Sequence, residues 1–259
     1  MQTKNILGID VGASGIKAAI VDIEKGELVT DRIKLSTPKP ATPEAVAAVV
    51  AELVKQTGYT GGLIGCGFPS IVRNGVAYSA ANVDPGWIGT NIETLLAVAT
   101  GKEVVAMNDA DAAGLAEMRY GKGIGKKGTV MLITIGSGLG SALFTDGHLV
   151  RNSEFGHLYL QGWLAEHYVS NTARKKYEMS WAGFGKRFNE YLLHLDRLFS
   201  PDLIILGGGI SNEFKLFSEQ LDTKLNVTTA ALFNHAGIIG AALYAYEAKF
   251  GEIETSTAE

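Results

Sequence analysis

Apolar positions alternate with polar ones in three short runs at the start of the chain. Asn5–Asp10, Ile16–Asp22 and Leu28–Leu35 predict a three-stranded meander, with Glu24-Lys25-Gly26-Glu27 as its second turn. After the stiff connection through Pro38, Pro40 and Pro43 the period changes. Val46, Val49, Val50, Leu53 and Val54 share one face of a helix over 44–56. A buried strand at 63–68, a helix over 90–99 stopped by Gly101, a strand at 103–107 and a helix over 110–120 follow, and this alternation predicts α/β layering.

From Gly128 the pattern restarts with strands at 130–135 and 139–145 around Gly136-Ser137-Gly138, then His148-Leu149-Val150 after an Asp-Gly turn. Strand, small-residue turn, strand thus occurs at 6–20 and again at 130–144, which suggests two related α/β domains that each offer a glycine-rich hairpin. A long helix over 178–199, a short strand at 203–206, a turn at Gly207-Gly208-Gly209 before another helix, and a small-residue apolar helix over 236–249 complete the expected elements. The polar tail 252–259 is expected to fray.

Composition narrows the function classes. With 19% charged residues and a formal net charge of −4, the 259-residue chain offers no overall basic field for nucleic acid and no polybasic membrane anchor. Anionic partners must be held locally. The single cysteine, Cys66, sits in an apolar run and reads as a small buried hydrophobe; one cysteine allows neither a disulfide framework nor a cysteine-rich zinc site. The N-terminus runs straight into a strand with no secretory pattern, and no apolar run approaches the ~20 residues of a membrane span. The expected location is the cytoplasm.

Four segments carry candidate chemistry. Asp10-Val11-Gly12-Ala13-Ser14-Gly15-Ile16-Lys17 places a carboxylate at a strand end, a turn of small residues, and a cation seven positions after the Asp. Such a turn aims amide groups at phosphate oxygens, and the carboxylate can orient Mg²⁺ through water; an ordinary hairpin has the same spacing. Thr134-Ile135-Gly136-Ser137-Gly138-Leu139-Gly140-Ser141 offers more amides and hydroxyls, but Ser141 replaces the third glycine of a dinucleotide fingerprint. No G-x-x-x-x-G-K-[ST] segment is present either. Asn108-Asp109 follows an apolar strand and precedes a helix containing Asp111 and Glu117: a carboxylate there can accept a proton from a hydroxyl, or the pair can simply cap the helix. Glu154-Phe155-Gly156-His157 places an acid and an imidazole three residues apart, two members of a hydrogen-bonding set for a polyhydroxylated ligand.

In this order and over nearly the whole length, these segments resemble the ROK family of sugar kinases, and its polyphosphate glucokinase branch in particular. Asp10–Lys17 is similar to the family's first phosphate motif, Ile133–Ser141 to its second, and Leu206–Ile210 to its glycine-rich nucleotide segment. The branch likeness lies in Phe68-Pro69, in Ala80-Ala81-Asn82-Val83-Asp84 ahead of Trp87, in Asn108–Gly114, and in Met118-Arg119-Tyr120-Gly121.

The resemblance implies an actin-like (ribonuclease H-like) pair of α/β domains, the smaller from 1–107 completed by a C-terminal helix at 236–250 and the larger from 108–235. It implies transfer of a phosphoryl group from polyphosphate or ATP to glucose, with mannose, which differs at one hydroxyl, left open. Asp109 matches the general base; Asn82, Asn108, Glu154 and His157 match sugar-binding positions, and Glu166 aligns loosely with another. Asp10, Gly12, Ala13, Ser14, Gly15, Lys17, Thr134, Gly136, Ser137 and Gly138 match phosphate-binding positions. Gly207, Gly208 and Gly209 match the nucleotide segment, and Asp10 would hold Mg²⁺ through water.

Two departures matter. Many family members carry a cysteine-rich zinc motif after the Glu-x-Gly-His segment; here Tyr159-Leu160-Gln161-Gly162-Trp163 stands in its place, so no structural zinc is expected. Ala13-Ser14 replaces the commoner Gly-Thr of the first phosphate turn, keeping the hydroxyl and adding a methyl.

Family regulators place a helix-turn-helix ahead of the first phosphate strand, and with that strand read from about residue 5 none is expected here. A sugar-binding protein without catalysis would not need Asp10, Lys17 and Asp109 together, and an actin-like assembly ATPase would not need Glu154 and His157. The resemblance favours a homodimer, for which Tyr177, Trp181, Phe184 and Phe188 offer an interface, unless they are core. Lys122, Lys126 and Lys127, just before the second phosphate hairpin in sequence, are either polyphosphate contacts or solvated loop charges.

Overall fold

A computed structural model describes residues 4–253. The elements in chain order are β1 (Asn5–Val11), β2 (Ile16–Asp22), β3 (Glu27–Leu28), β4 (Ile33–Leu35), α1 (Pro43–Gln56), β5 (Leu63–Phe68), β6 (Val72–Arg73), β7 (Val76–Ala77), α2 (Ile92–Thr100), β8 (Glu103–Asn108) and α3 (Asp109–Tyr120). Then come β9 (Thr129–Ile135), β10 (Leu139–Thr145), β11 (His148–Val150), β12 (Tyr159–Leu160), β13 (Trp163–Leu164), α4 (Ala165–Val169), α5 (Asn171–Lys176), α6 (Trp181–Phe199), β14 (Leu203–Gly207), β15 (Val227–Thr229) and α7 (Ala236–Phe250). The chain divides into two compact units, Met1–Ala116 with His235–Glu259, and Glu117–Asn234.

In the first unit the main sheet runs β3-β2-β1-β5-β8, with β4 also on β2. β1 and β2 form an antiparallel hairpin in which Asp10 faces Lys17, and β5 and β8 continue the sheet in parallel. The second unit repeats the plan in the order β11-β10-β9-β14-β15. Its β9–β10 hairpin is again antiparallel and β14 joins β9 in parallel.

Local chemistry sets the element ends. Thr42 accepts from the Ala45 amide and Pro43 opens α1, while Asn91 caps α2 and Gly101, at φ +68°, closes it in the left-handed conformation. The predicted third strand at 28–35 is instead two short pieces, because the Thr30 hydroxyl takes the Ile20 amide that a continuous ladder would pair with backbone. Likewise α6 begins at Trp181, after the Ser180 cap, and not at 178, since Glu178 has φ +50°. The helix expected after Gly209 is a 3₁₀ segment over Gly209–Leu216.

Strand glycines let α7 close on the first sheet. A Cβ added to Gly8 would stand 2.1 Å from the Ile238 carbonyl oxygen, and one on Gly65 1.9 Å from that of Ala241, so glycine alone permits this approach. In the second unit α6 supplies Phe184, Phe188 and Tyr191 to the core, all fully buried, and Phe184 meets Phe217 edge-on with ring centroids 5.2 Å apart. Phe184 and Phe188 are therefore core residues; Tyr177 is 41% exposed and Trp181 half-buried. No helix among the described residues is long and apolar enough to cross a membrane, and positions 254–259 of the tail expected to fray lie outside those residues.

Candidate active site

The first phosphate-type turn is closed by the Gly12 amide donating to the Gly15 carbonyl at 3.1 Å, with the Thr37 hydroxyl donating to the Gly12 carbonyl. Ala13 and Ser14 are exposed at its tip. At its base the Lys17 ammonium donates to Asp10 Oδ2 at 2.7 Å in a part-buried pair. Gly237, at the start of α7, lies against the Asp10 carboxyl: an added Cβ would stand 3.2 Å from it.

In the same unit Asn108 ends β8 as a buried residue. Its Oδ1 accepts from the Ala110 and Asp111 amides at 2.9 and 3.0 Å, and its Nδ2 donates to the Ser70 carbonyl at 3.1 Å. Asn108 therefore caps α3 and ties its start to the 70–79 segment, which holds Asp109 at the first helical position, half-buried. Asn82 is exposed, beside the 3₁₀ turn at Pro85–Trp87. Buried Trp87 packs on Phe68 with centroids 4.4 Å apart and donates its indole N–H to the Ala41 carbonyl.

The second unit gathers the other residues. The Gly136 amide donates to the Gly138 carbonyl at 3.0 Å, Ser137 is exposed, and Thr134 is half-buried opposite Gly140. Gly208, with φ +76°, has no room for a side chain, since an added Cβ would stand 2.6 Å from the Ile135 carbonyl oxygen. The Gly207–Gly209 segment is thus pressed beside the Gly136 turn, with Gly207 buried and Gly209 exposed.

Glu154, His157 and Glu166 converge in this unit. His157 Nδ1 lies 3.7 Å from Glu154 Oε2 and its Nε2 3.7 Å from Glu166 Oε1. Burial pushes the Glu154 carboxyl above the ordinary glutamate value, His157 opposes that shift and the Glu166 charge adds to it. Two features hold the segment. Gly156 presses on β10, where an added Cβ would meet the Leu139 carbonyl oxygen at 2.4 Å. The Ser141 hydroxyl donates to the Ser153 carbonyl and accepts from the Phe155 amide, clamping the chain on either side of Glu154.

Glu166 also reaches the turn: a Cβ on Gly138 would stand 2.4 Å from Glu166 Oε2. Two carboxylates with an imidazole between them and a glycine-rich turn are therefore neighbours within one unit. Glu117, fully buried, accepts from the Lys122, Ala231 and Leu232 amides and so fixes the loop after α3. Sequence reasoning named Glu117 only as a member of a helix; a carboxylate with distant amide partners leaves no local signal. Lys126 and Lys127 stand just before β9, whereas Gly136 follows it. Seven strand residues put them about 23 Å apart, at opposite ends of the strand. Among the described residues no group of three or more His, Cys, Asp and Glu side chains is arranged to hold a metal ion.

Residues 6–175 match the model of the ROK family. The chain belongs to the ROK family. Its α/β fold is the actin-like ATPase fold of that family's structures. It is 47% identical over 237 residues, 91% of this chain and 89% of the relative, to a polyphosphate glucokinase of Mycobacterium tuberculosis. Among solved structures, the inorganic polyphosphate/ATP-glucomannokinase of Arthrobacter sp. strain KM is similar at 46% identity, with a TM-score of 0.89 over 94% of this chain and 98% of that one. A ROK family glucokinase of Streptomyces griseus, solved with glucose and AMPPNP, is similar at 25% identity with a TM-score of 0.81, over 94% of this chain and 99% of that one.

Proposed function

We propose that the protein is a glucose kinase that transfers a phosphoryl group from inorganic polyphosphate or ATP to the 6-hydroxyl of the sugar. The observation that carries this is the Glu154–His157–Glu166 set lying against the Gly136–Gly138 turn, acceptor-type and phosphate-type groups side by side. Kinship with a polyphosphate glucokinase and with a polyphosphate/ATP-glucomannokinase supports glucose, and secondarily mannose, as acceptor, and both donors.

Asp109 is the general base. Its carboxylate takes the 6-hydroxyl proton as that oxygen forms a bond to the terminal phosphorus, while the bridging P–O bond breaks and the shortened polyphosphate or ADP leaves with its electron pair. The Asn108 cap orients Asp109 through the backbone of α3, and Asn82, Asn108, Glu154, His157 and Glu166 bind the sugar hydroxyls. Amides and hydroxyls of Gly12–Gly15 and Thr134–Gly138 hold phosphate oxygens, Lys17 contributes charge, and Gly207–Gly209 borders the nucleotide when ATP is the donor.

Asp10 suits a magnesium site, being a part-buried carboxylate with one oxygen held by Lys17, and Mg²⁺ prefers one or two carboxylates together with water and substrate phosphate. When bound through water to Asp10, Mg²⁺ would neutralise charge on the transferring group. The test is glucose 6-phosphate formation with Mg²⁺, comparing long-chain polyphosphate and ATP. Product with polyphosphate is expected; no product with either donor refutes the proposal, and product with ATP alone removes polyphosphate from it.

A further inference from the structure

We infer that Arg174, Lys175, Lys176 and Arg187 form a track for the distal phosphates of a linear polyphosphate donor, leading away from the Gly136–Gly138 turn. The inference rests on the donor proposed above and adds where the rest of the chain lies.

Two helices leave the turn with opposite chemistry. α4 carries Glu166, whose carboxylate lies against Gly138. α5 begins where the Asn171 amide donates to the Gly136 carbonyl at 3.1 Å, and its last turn is Arg174, Lys175 and Lys176. Six residues at about 1.5 Å each end this helix roughly 9 Å beyond the turn, within a few phosphates of the transferring end.

The cations there are ordered by stacking. The Arg174 guanidinium lies 4.2 Å from the Trp181 ring centre and donates from Nε to Asn171 Oδ1. Arg187 stacks at 4.5 Å on Tyr168 and at 5.5 Å on Tyr177, and donates from Nη1 to the Tyr168 carbonyl; Lys176 lies 5.3 Å from the same Tyr177 ring. A guanidinium held by its face and one or two N–H groups keeps further donors for phosphate oxygens, with little side-chain entropy left to lose. Lys175 and Lys176 are exposed and make no ion pair among the described residues. The carboxylates nearby in sequence are Glu166 on α4, Glu178 between Lys176 and Arg187, and Glu190, which accepts from the Tyr168 hydroxyl. Five cations in 14 residues, Lys186 being the fifth, near a phosphate-type turn fit a polyanion, not a single phosphate.

Lys126 and Lys127 are not that track, because β9 separates them from the turn by its whole length. ATP carries a nucleoside where polyphosphate continues as a string of phosphates, so the track bears on chain length.

The experiment compares the parent protein with Lys175→Gln/Lys176→Gln and with Lys126→Gln/Lys127→Gln. The first variant is expected to raise KM for long-chain polyphosphate about tenfold more than KM for ATP, and to lower the slope of log K against log salt for polyphosphate binding by about 1.5. Lys175→Arg/Lys176→Arg is expected to keep parental values. Equal effects on both donors, or a polyphosphate defect only in the 126/127 variant, overturns the track. If the parent turns over ATP and not polyphosphate, the donor proposal fails by itself. Calorimetric binding of long-chain polyphosphate then decides the track: about tenfold weaker binding by the 175/176 variant supports it, and equal or absent binding overturns it.

Discussion

Gly240 lies so close to Ala112 that a Cβ added to it would stand 1.7 Å from the Ala112 carbonyl oxygen. The contact joins α7 to the opening turns of α3, the helix that starts at Asp109. Gly240→Ala must push the two helices apart, an overpacking cost of about 1–3 kcal/mol, and it shifts the backbone on which Asp109 stands. Calorimetry is expected to show a lower Tm and steady-state kinetics a lower kcat. An unchanged Tm would mean that the helices have slack.

Asp109→Asn keeps the size and the helix start while removing the carboxylate proposed as the proton acceptor. We expect kcat to fall by about 10²- to 10⁴-fold, with glucose KM changed by only a few-fold. Circular dichroism should match the parent. Parental kcat in this variant would take the base role away from Asp109.

Glu154 gives a pH dependence with a defined sign. Burial, opposed by His157 and reinforced by Glu166, raises its folded pKa above the ordinary 4.5. A group with a raised folded pKa contributes stability that is fully present below the unfolded value and is lost as pH rises through the folded one. Ionising this part-buried carboxylate therefore costs stability. Glu154→Gln is expected to gain Tm relative to the parent at pH 7 and not at pH 4. In the proposed site the ionised carboxylate accepts from the sugar, so glucose KM in the parent should rise on acidification with an inflection above 4.5, and the Gln variant should lack that inflection. An inflection shared by both proteins would place it on another group.

Much of the architecture was legible because its signals are local. Period-two apolar runs with small-residue turns marked both hairpins, and Gly101 marked the end of α2. The candidate groups Asp10, Lys17, Asn108, Asp109, Glu154 and His157 were legible by residue type and spacing. Less was visible where the deciding partner is remote in sequence. The Thr30 hydroxyl splits a strand by taking an amide ten positions away, and Ser141, noticed only as a break in a dinucleotide pattern, proves to clamp the Glu154 segment. Phe184 and Phe188 left core and interface equally open until Phe217 was seen packing against them.

Distance along the chain is a poor guide to distance in space. Lys126 and Lys127 are close to Gly136 in sequence, yet an extended strand advances about 3.3 Å per residue and carries them to its far end, while Asn171, far later in the chain, is brought to the turn by one amide-to-carbonyl bond. The sequence by itself determined the hairpins, the helix caps and the chemical types at the site, because these follow from backbone sterics and near-neighbour hydrogen bonds. Only the tertiary structure decided that Glu166 also meets His157, that α5 starts on the Gly136 turn, and why Gly8, Gly65 and Gly240 must lack side chains, because those depend on close approach between segments far apart in the chain.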